Sequence, residues 1–100
     1  MKIQFERSGG FAGVNVKGTI DSDSLPAQEA SALRALIDAA GFFDLPRKSA
    51  AAPGADQFQY IVGIEDGARK HTIETSEGSA SEALRTLLAR LTTLARSSRG

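Results

Sequence analysis

The sequence contains no cysteine, which excludes disulfide bonds and thiolate chemistry. Cysteine usage therefore does not indicate whether the protein works in an oxidising or a reducing compartment. It contains one histidine, His71, so no second imidazole and no thiolate is available to complete a zinc site. Its carboxylates are scattered, and no glycine-rich segment opens a helix and ends on a lysine, as a phosphate-binding loop would. We therefore expect no catalytic residues, no bound metal and no cofactor.

The chain also lacks an excess of charge of either sign, since twelve basic residues balance twelve acidic ones. A general nucleic-acid binder or a polybasic membrane anchor needs a basic excess, so neither partner is expected. No apolar run approaches the roughly 20 residues that cross a bilayer, and residues 1–7 do not have the pattern of a signal peptide. We expect a cytoplasmic protein with a single domain that spans residues 1–100.

The first twenty residues contain two alternating runs that predict half-buried strands. Ile3 and Phe5 fall on one face of the run over residues 2–7. The second run covers residues 14–20, and Gly18 interrupts its apolar face. A bulge or a closely packed helix is expected at that glycine.

Between these runs lies a glycine-rich segment, Ser8–Gly13, which we expect to form the tip of a hairpin. Its three glycines permit positive φ angles and the close approach of another chain. A turn does not require a phenylalanine, so Phe11 is the unusual residue. From the residues alone, Phe11 either folds back over the end of the sheet, the commoner arrangement, or serves as an apolar anchor in the pocket of a partner. The candidate residues of this segment are Ser8, Gly9, Gly10, Phe11, Ala12 and Gly13.

A first amphipathic helix is predicted over about residues 25–40. Asp23 or Ser24 is expected to cap its N-terminus, with Pro26 in the first turn and Gly41 as the C-terminal stop. Its apolar stripe consists of Leu33, Leu36, Ile37 and Ala40.

The segment that follows this helix is predicted to close one end of the core and then to form a loop. We expect Phe43 and Leu45 to plug the core, and residues 47–57 to form the loop because they are small and unpatterned. Asp56 lies just before the next strand, where it either binds its own backbone in an Asx turn or contributes to a binding surface.

The alternation of Phe58, Tyr60, Val62 and Ile64 predicts a third strand, and Asp66-Gly67 is a strong hairpin signal. A two-residue turn at Asp66-Gly67 pairs Tyr60 with Ile73 and Val62 with His71. Tyr60 is expected in the core with its hydroxyl at the rim, and His71 partly buried in mid-strand.

A second helix is predicted to begin with a capping box at Ser79–Glu82. Its apolar stripe, which we assign to the core rather than to a dimer seam, consists of Leu84, Leu87, Leu88, Leu91, Leu94 and Ala95. We expect the free protein to be a monomer.

The order of elements is ββαββα, which predicts an α+β fold: a four-stranded antiparallel sheet with two helices packed on one face. The other face of the sheet is expected to remain in contact with solvent. That face carries Lys2, Gln4, Lys17, Ile61 and Thr72.

Residues 2–13 resemble the opening of the emfourin family, small protein inhibitors of thermolysin-like zinc metallopeptidases that are encoded beside protealysin-type enzymes. The resemblance extends to residues 41–46 and 53–60, and more weakly to residues 65–67, 71–72 and the C-terminal helix. It therefore covers nearly the whole chain.

The resemblance implies inhibition of a thermolysin-like metallopeptidase in the cytoplasm. Because these enzymes prefer a bulky apolar residue just after the scissile bond, Phe11 or a neighbouring residue is expected in that subsite. Ser8 and the glycine backbone would then line the cleft and cover the enzyme's zinc, and residues Asp56 to Tyr60 form a second candidate surface. The alternative is a non-inhibitory interaction module that binds through its exposed sheet face or its C-terminal helix.

Overall fold

The computed structural model describes residues 1–9, 15–48 and 58–97. Four strands and two α-helices alternate in the order ββαββα, which confirms the predicted α+β fold. The strands are β1 (Lys2–Gly9), β2 (Val16–Asp21), β3 (Phe58–Asp66) and β4 (Arg69–Ser76), and the helices are α1 (Ala27–Ala40) and α2 (Glu82–Ser97). Short 3₁₀ helices occupy Ser22–Ser24, Phe42–Asp44 and Glu77–Ser79. No described helix is long and apolar enough to cross a membrane.

The four strands form one antiparallel sheet, as predicted, and their order in the sheet is β2-β1-β3-β4. β1 and β3 occupy the centre, so the first strand of each hairpin pairs with the first strand of the other. The outer strands β2 and β4 hold the central pair from both sides.

A single hydrophobic core lies between the sheet and the two helices. The predicted strand residues Ile3 and Phe5 are buried in it, as are Leu33 and Ile37 of α1. Every residue of the predicted α2 stripe is buried except Leu94, which packs against the core from its edge. The opposite face of the sheet is exposed at all five positions predicted for it.

Gly18 allows α2 to approach β2 closely, which confirms one of the two roles expected for it. A Cβ atom built on Gly18 would lie 3.3 Å from the Cβ of Ala95 on the helix. This separation is tighter than ordinary van der Waals contact, so a side chain at this position would push the helix away from the sheet.

The predicted register of the second hairpin was wrong by two residues. Asp66 pairs with Arg69, so the turn consists of Gly67 and Ala68, and Val62 lies opposite Ile73. The carboxylate of Asp66 accepts hydrogen bonds from Arg69 and from Arg34 of α1, which keeps Asp66 in the strand. Gly67, with φ of 61°, provides the positive φ of the turn. Since the shift is even, each side chain stays on its predicted face.

The predicted cap of α1 was also wrong. The helix begins at Ala27, and Pro26 occupies the cap position without a side-chain acceptor. Instead, a carboxylate oxygen of Asp21 accepts a hydrogen bond from the backbone N–H of Asp23 at 3.0 Å and so caps the preceding 3₁₀ helix. Gly41 ends the helix with φ of 61°, as predicted.

α2 begins two residues later than the predicted capping box requires. The hydroxyl of Ser81 accepts a hydrogen bond from the backbone N–H of Leu84 at 3.1 Å, so Ser81 is the cap. Ser79 belongs to the 3₁₀ helix before α2, and its hydroxyl accepts a hydrogen bond from Ser76. The capping-box prediction was wrong because this extra turn separates β4 from the helix.

The main plug at the end of the core is Phe42, whereas the sequence predicted Phe43 and Leu45. The side chain of Phe42 is 1% exposed, and the other two are partly buried against the core. The left-handed conformation of Gly41 turns the chain into the 3₁₀ helix Phe42–Asp44 and directs Phe42 inward. The ring of Phe43 lies edge-on to that of Phe42 at 5.5 Å.

The first two residues of the predicted loop over 47–57 are bound to the edge of the sheet. The carbonyl of Arg47 accepts a hydrogen bond from the backbone N–H of Glu74 at 2.7 Å, and Lys48 forms a parallel bridge with Glu74. The remainder of the predicted loop, residues 49–57, lies outside the described residues.

Candidate functional site

The pairing of β1 with β3 places two of the predicted binding segments side by side. Gly9 lies opposite Phe58, Ser8 opposite Gln59, and Arg7 opposite Tyr60. The described parts of the two segments, which the sequence offered as separate surfaces, therefore lie at the same end of the sheet. We call the paired residues Arg7–Gly9 and Phe58–Tyr60 the neck.

The predicted site residues divide into described and undescribed ones. Ser8 and Gly9 belong to β1, so the strand extends two residues into the predicted tip. Tyr60 belongs to β3. The other predicted site residues lie outside the described residues: Gly10, Phe11, Ala12, Gly13 and Asp56.

Gly9 has a backbone conformation that favours glycine. Its φ is 93°, which residues with a Cβ atom rarely adopt. The glycine is therefore required at this position by the shape of the chain as it leaves β1, and the sequence had indicated such a requirement for this segment.

Arg7 is a residue of the neck that sequence reasoning did not single out. It lies on the same face of β1 as Ile3 and Phe5, and its guanidinium carbon is 4.2 Å from the centre of the Phe58 ring. The positive charge of the guanidinium also acts on the nearby hydroxyl of Tyr60 and favours a lower pKa for it. The alternation of β1 could have found it, because every second residue from Ile3 faces the core.

Tyr60 connects the neck to the core, as the sequence predicted. Its side chain is 8% exposed, and its ring lies 6.0 Å from that of Phe5. Burial raises the pKa of the Tyr60 hydroxyl, the Glu77 carboxylate raises it further, and the nearby Arg7 opposes both. The phenol therefore stays protonated at neutral pH.

A crevice of about 260 Å³ separates the neck from α2. Two arginines and one glutamate lie around it, together with the aromatic ring of Tyr60 and residues of the helix. Its lining includes Arg7, Tyr60, Glu77, Arg85, Leu88 and Thr92.

The histidine and the carboxylates of the described residues do not cluster around a metal position. No group of three or more His, Asp or Glu side chains is placed to hold a metal ion within residues 1–9, 15–48 and 58–97. The single histidine is engaged elsewhere, because the Nε2 atom of His71 lies 2.6 Å from the carbonyl oxygen of Leu45. Its ring packs edge-on against Phe42 at the end of the sheet far from the neck.

The exposed face of the sheet is the other surface to consider. It has a shallow depression of about 450 Å³ whose lining includes Gln4, Gly63 and Thr72. Ile61, with 38% exposure, is the one exposed large hydrophobic residue among those the structure describes. Charged pairs of opposite sign, such as Lys17 with Glu6 at 3.8 Å, surround it. This face is polar, and none of its described residues has a positive φ like that of Gly9 in the neck.

Comparison with known proteins gives one family match. The model of the Emfourin family matches residues 5–92 of the chain, which include the described part of the neck. No curated protein matches the chain. No solved structure matches it either.

Proposed function

This chain belongs to the emfourin family, and we propose that it inhibits thermolysin-like zinc metallopeptidases by placing the segment Ser8–Gly13 in the active-site cleft. The family is one of inhibitors, so membership indicates a role in metallopeptidase inhibition and a protease as the partner. The particular peptidase class and the inhibitory segment are our proposal.

The observation that carries the proposal is the pairing of Gly9 with Phe58 at the end of the two central strands. These strands hold the start of the glycine-rich segment, and the outer strands support them as far as Arg7 and Gln59. A segment attached to such a support loses less conformational entropy on binding than one attached to a free terminus. The neck thus supplies the preorganisation that a tight inhibitor requires.

Phe11 is the residue that we propose as the anchor. Thermolysin-like enzymes accept a bulky apolar side chain just after the scissile bond, and Phe11 is the one such side chain in Ser8–Gly13. Ser8 and the glycine backbone would line the cleft and cover the zinc, which belongs to the enzyme. Inhibition rather than cleavage follows if the segment is held in a geometry that the enzyme cannot process.

Asp56 and Tyr60 provide a second contact area in this proposal. The sheet register places Tyr60 opposite Arg7, two residues from Gly9. A peptidase bound at the glycine-rich segment would therefore lie close to the described start of β3. We propose that the inhibitor acts as a monomer in the cytoplasm, which gel filtration and cell fractionation test directly.

A pair of alanine variants separates this proposal from binding through the sheet face. Phe11→Ala should raise the inhibition constant about 30-fold, because loss of an anchor costs about 2 kcal/mol or more. Ile61→Ala removes the exposed apolar residue of the sheet face and should leave inhibition unchanged. Thermal unfolding of both variants tests whether the fold is intact.

Two results would contradict the proposal. If Ile61→Ala weakens inhibition and Phe11→Ala does not, the sheet face is the binding surface. If Phe11→Ala lowers the melting temperature instead of affecting inhibition, then Phe11 covers the end of the sheet and belongs to the core.

A further inference from the structure

Arg7 occupies a position where the fold by itself favours an apolar residue. Along the core face of β1, Ile3 and Phe5 are both buried, and Arg7 is the next residue on that face. Its pairing partner on β2 is Val16, which is buried like Ile3 and Phe5. A guanidinium at such a site loses hydration, so its presence calls for compensating interactions.

The described contacts of Arg7 with aromatic side chains lie in the neck. Its guanidinium carbon lies 4.2 Å from the centre of the Phe58 ring, a distance typical of a cation–π contact. Its positive charge also acts on the nearby hydroxyl of Tyr60, the residue that pairs with Arg7 across β1 and β3. Phe58 and Tyr60 lie on one face of β3, on either side of Gln59. One planar group therefore lies beside both ends of Phe58–Tyr60, the segment that pairs with Arg7–Gly9.

Arg7 is nevertheless incompletely satisfied. Its Nε atom is buried and has no hydrogen-bond partner among the residues that the structure describes. An apolar side chain of similar length would fill the same space without this cost. The fold therefore gains little from an arginine here, whereas the neck gains a planar group that fixes two side chains at once.

From these contacts we propose that Arg7 is a positioning residue, which fixes the Gly9–Phe58 pair and so orients the inhibitory segment. This inference rests on the proposed inhibition of a metallopeptidase. It assigns to Arg7 an effect on affinity that is separate from its contribution to stability. Arg7 acts through Phe58 and Tyr60, and it need not touch the enzyme.

The test compares Arg7→Met and Arg7→Lys with a matched control, Arg69→Met. Arg69 also lies 4.2 Å from an aromatic ring, that of Phe43, but at the opposite end of the sheet. Each variant is measured for its melting temperature and for its inhibition constant against a thermolysin-like peptidase. Hydrogen exchange of the backbone amides of residues 7–9 and 58–60 is measured on the free protein, with the β3–β4 amides near Val62 and Ile73 as an internal reference.

We expect Arg7→Met to keep or raise the melting temperature, to raise the inhibition constant at least tenfold, and to speed exchange at the neck amides. Arg7→Lys should inhibit better than Arg7→Met but less well than the natural protein, because lysine keeps the positive charge and lacks the planar guanidinium group. Arg69→Met should leave the inhibition constant unchanged whatever its effect on stability.

An inhibition constant for Arg7→Met within twofold of the natural protein would overturn the inference while the proposed function stands. So would a loss of inhibition that merely follows a fall in melting temperature in both Arg7 variants. If the natural protein does not inhibit the peptidase, the proposed function fails. In that case, hydrogen exchange at the neck amides still tests whether Arg7 fixes the neck. If exchange in Arg7→Met is unchanged, the positioning role of Arg7 is overturned as well.

Discussion

Gly9 in β1 lies directly opposite Phe58 in β3, at the point where the two central strands of the sheet reach the same end of the molecule. The two residues are distant in sequence, and each adjoins a segment that the sequence singled out for binding. Among the described residues, β2 pairs with β1 as far as Arg7 and Val16, and β4 pairs with β3 as far as Gln59 and Ser76. The Gly9–Phe58 pair thus extends the two central strands just beyond the ends of both outer strands.

Replacing Gly9 by alanine should weaken inhibition. Its φ of 93° is unfavourable for a residue with a Cβ atom. The variant should therefore be destabilised by about 1–2 kcal/mol, or the chain should leave β1 in another direction. Gly67→Ala is the matched control, since Gly67 has φ of 61° in the turn at the far end of the sheet. Both variants should lower the melting temperature, and only Gly9→Ala should raise the inhibition constant. Equal inhibition by the two variants would argue against a role for the neck.

Replacing Gly18 by valine should destabilise the fold by about 1–3 kcal/mol, because the side chain would collide with Ala95 of α2. Denaturant unfolding measures the loss. Thr19→Val on the exposed face of the same strand introduces the same side chain without a helix above it, and should change stability by less than about 0.5 kcal/mol. Similar losses in both variants would mean that the approach of α2 to Gly18 is unimportant.

Stability should fall in acid partly through Asp66. Hydrogen bonds from Arg34, and then from Arg69, lower the pKa of the Asp66 carboxyl below its ordinary value. A lowered pKa in the folded state stabilises the protein above the unfolded pKa of about 4, and this contribution is lost as the pH falls through the folded value. Asp66→Asn should be less stable at neutral pH and should lose less stability between pH of about 5 and 2.

The control for this prediction is Glu65→Gln on the neighbouring position. Glu65 forms a longer and more exposed ion pair with Lys70, at 3.9 Å, so its removal should have little effect. Urea unfolding across this pH range compares the three proteins. Parallel curves for the natural protein and Asp66→Asn would show that Asp66 does not cause the acid sensitivity.

His71 should matter for stability and not for inhibition. Its Nε2–H donates to the carbonyl of Leu45, so His71→Phe would keep a ring against Phe42 but leave that carbonyl without its donor. We expect a loss of about 1 kcal/mol and an unchanged inhibition constant. His71→Gln, which retains a donor, should lose less. Reduced inhibition by a folded His71→Phe protein would contradict the structural role assigned here.

The features of the fold that the sequence predicted are those set by local periodicity. Ile3 and Phe5 alternate with polar residues, and the leucines of α2 recur at helical spacing, so their burial follows from the pattern alone. The register of the second hairpin was not predictable in this way. Asp66 stays in β3 because Arg34 of α1 binds it, and an ion pair between distant elements leaves no local signal.

In the candidate site too, local patterns were predictable from the sequence and long-range pairing was not. The sequence identified Ser8–Gly13 by its glycines and its isolated phenylalanine, but it could not show that Gly9 pairs with Phe58. That pairing joins two hairpins across α1, and no short-range pattern specifies it. Arg7 was detectable in principle from the alternation of β1, yet its contact with Phe58 depends on the same long-range pairing.

The central claim is that this protein inhibits a thermolysin-like metallopeptidase, and a titration tests it most directly. The peptidase, ideally the one encoded nearest to this protein, is preincubated with increasing amounts of the purified chain. Hydrolysis of a small fluorogenic peptide then reports the remaining activity, and mass spectrometry reports whether the chain has been cut. We predict that activity falls in proportion to the added protein and that the chain stays intact. Full activity at micromolar concentrations of the protein, or its cleavage as a substrate, would contradict the claim.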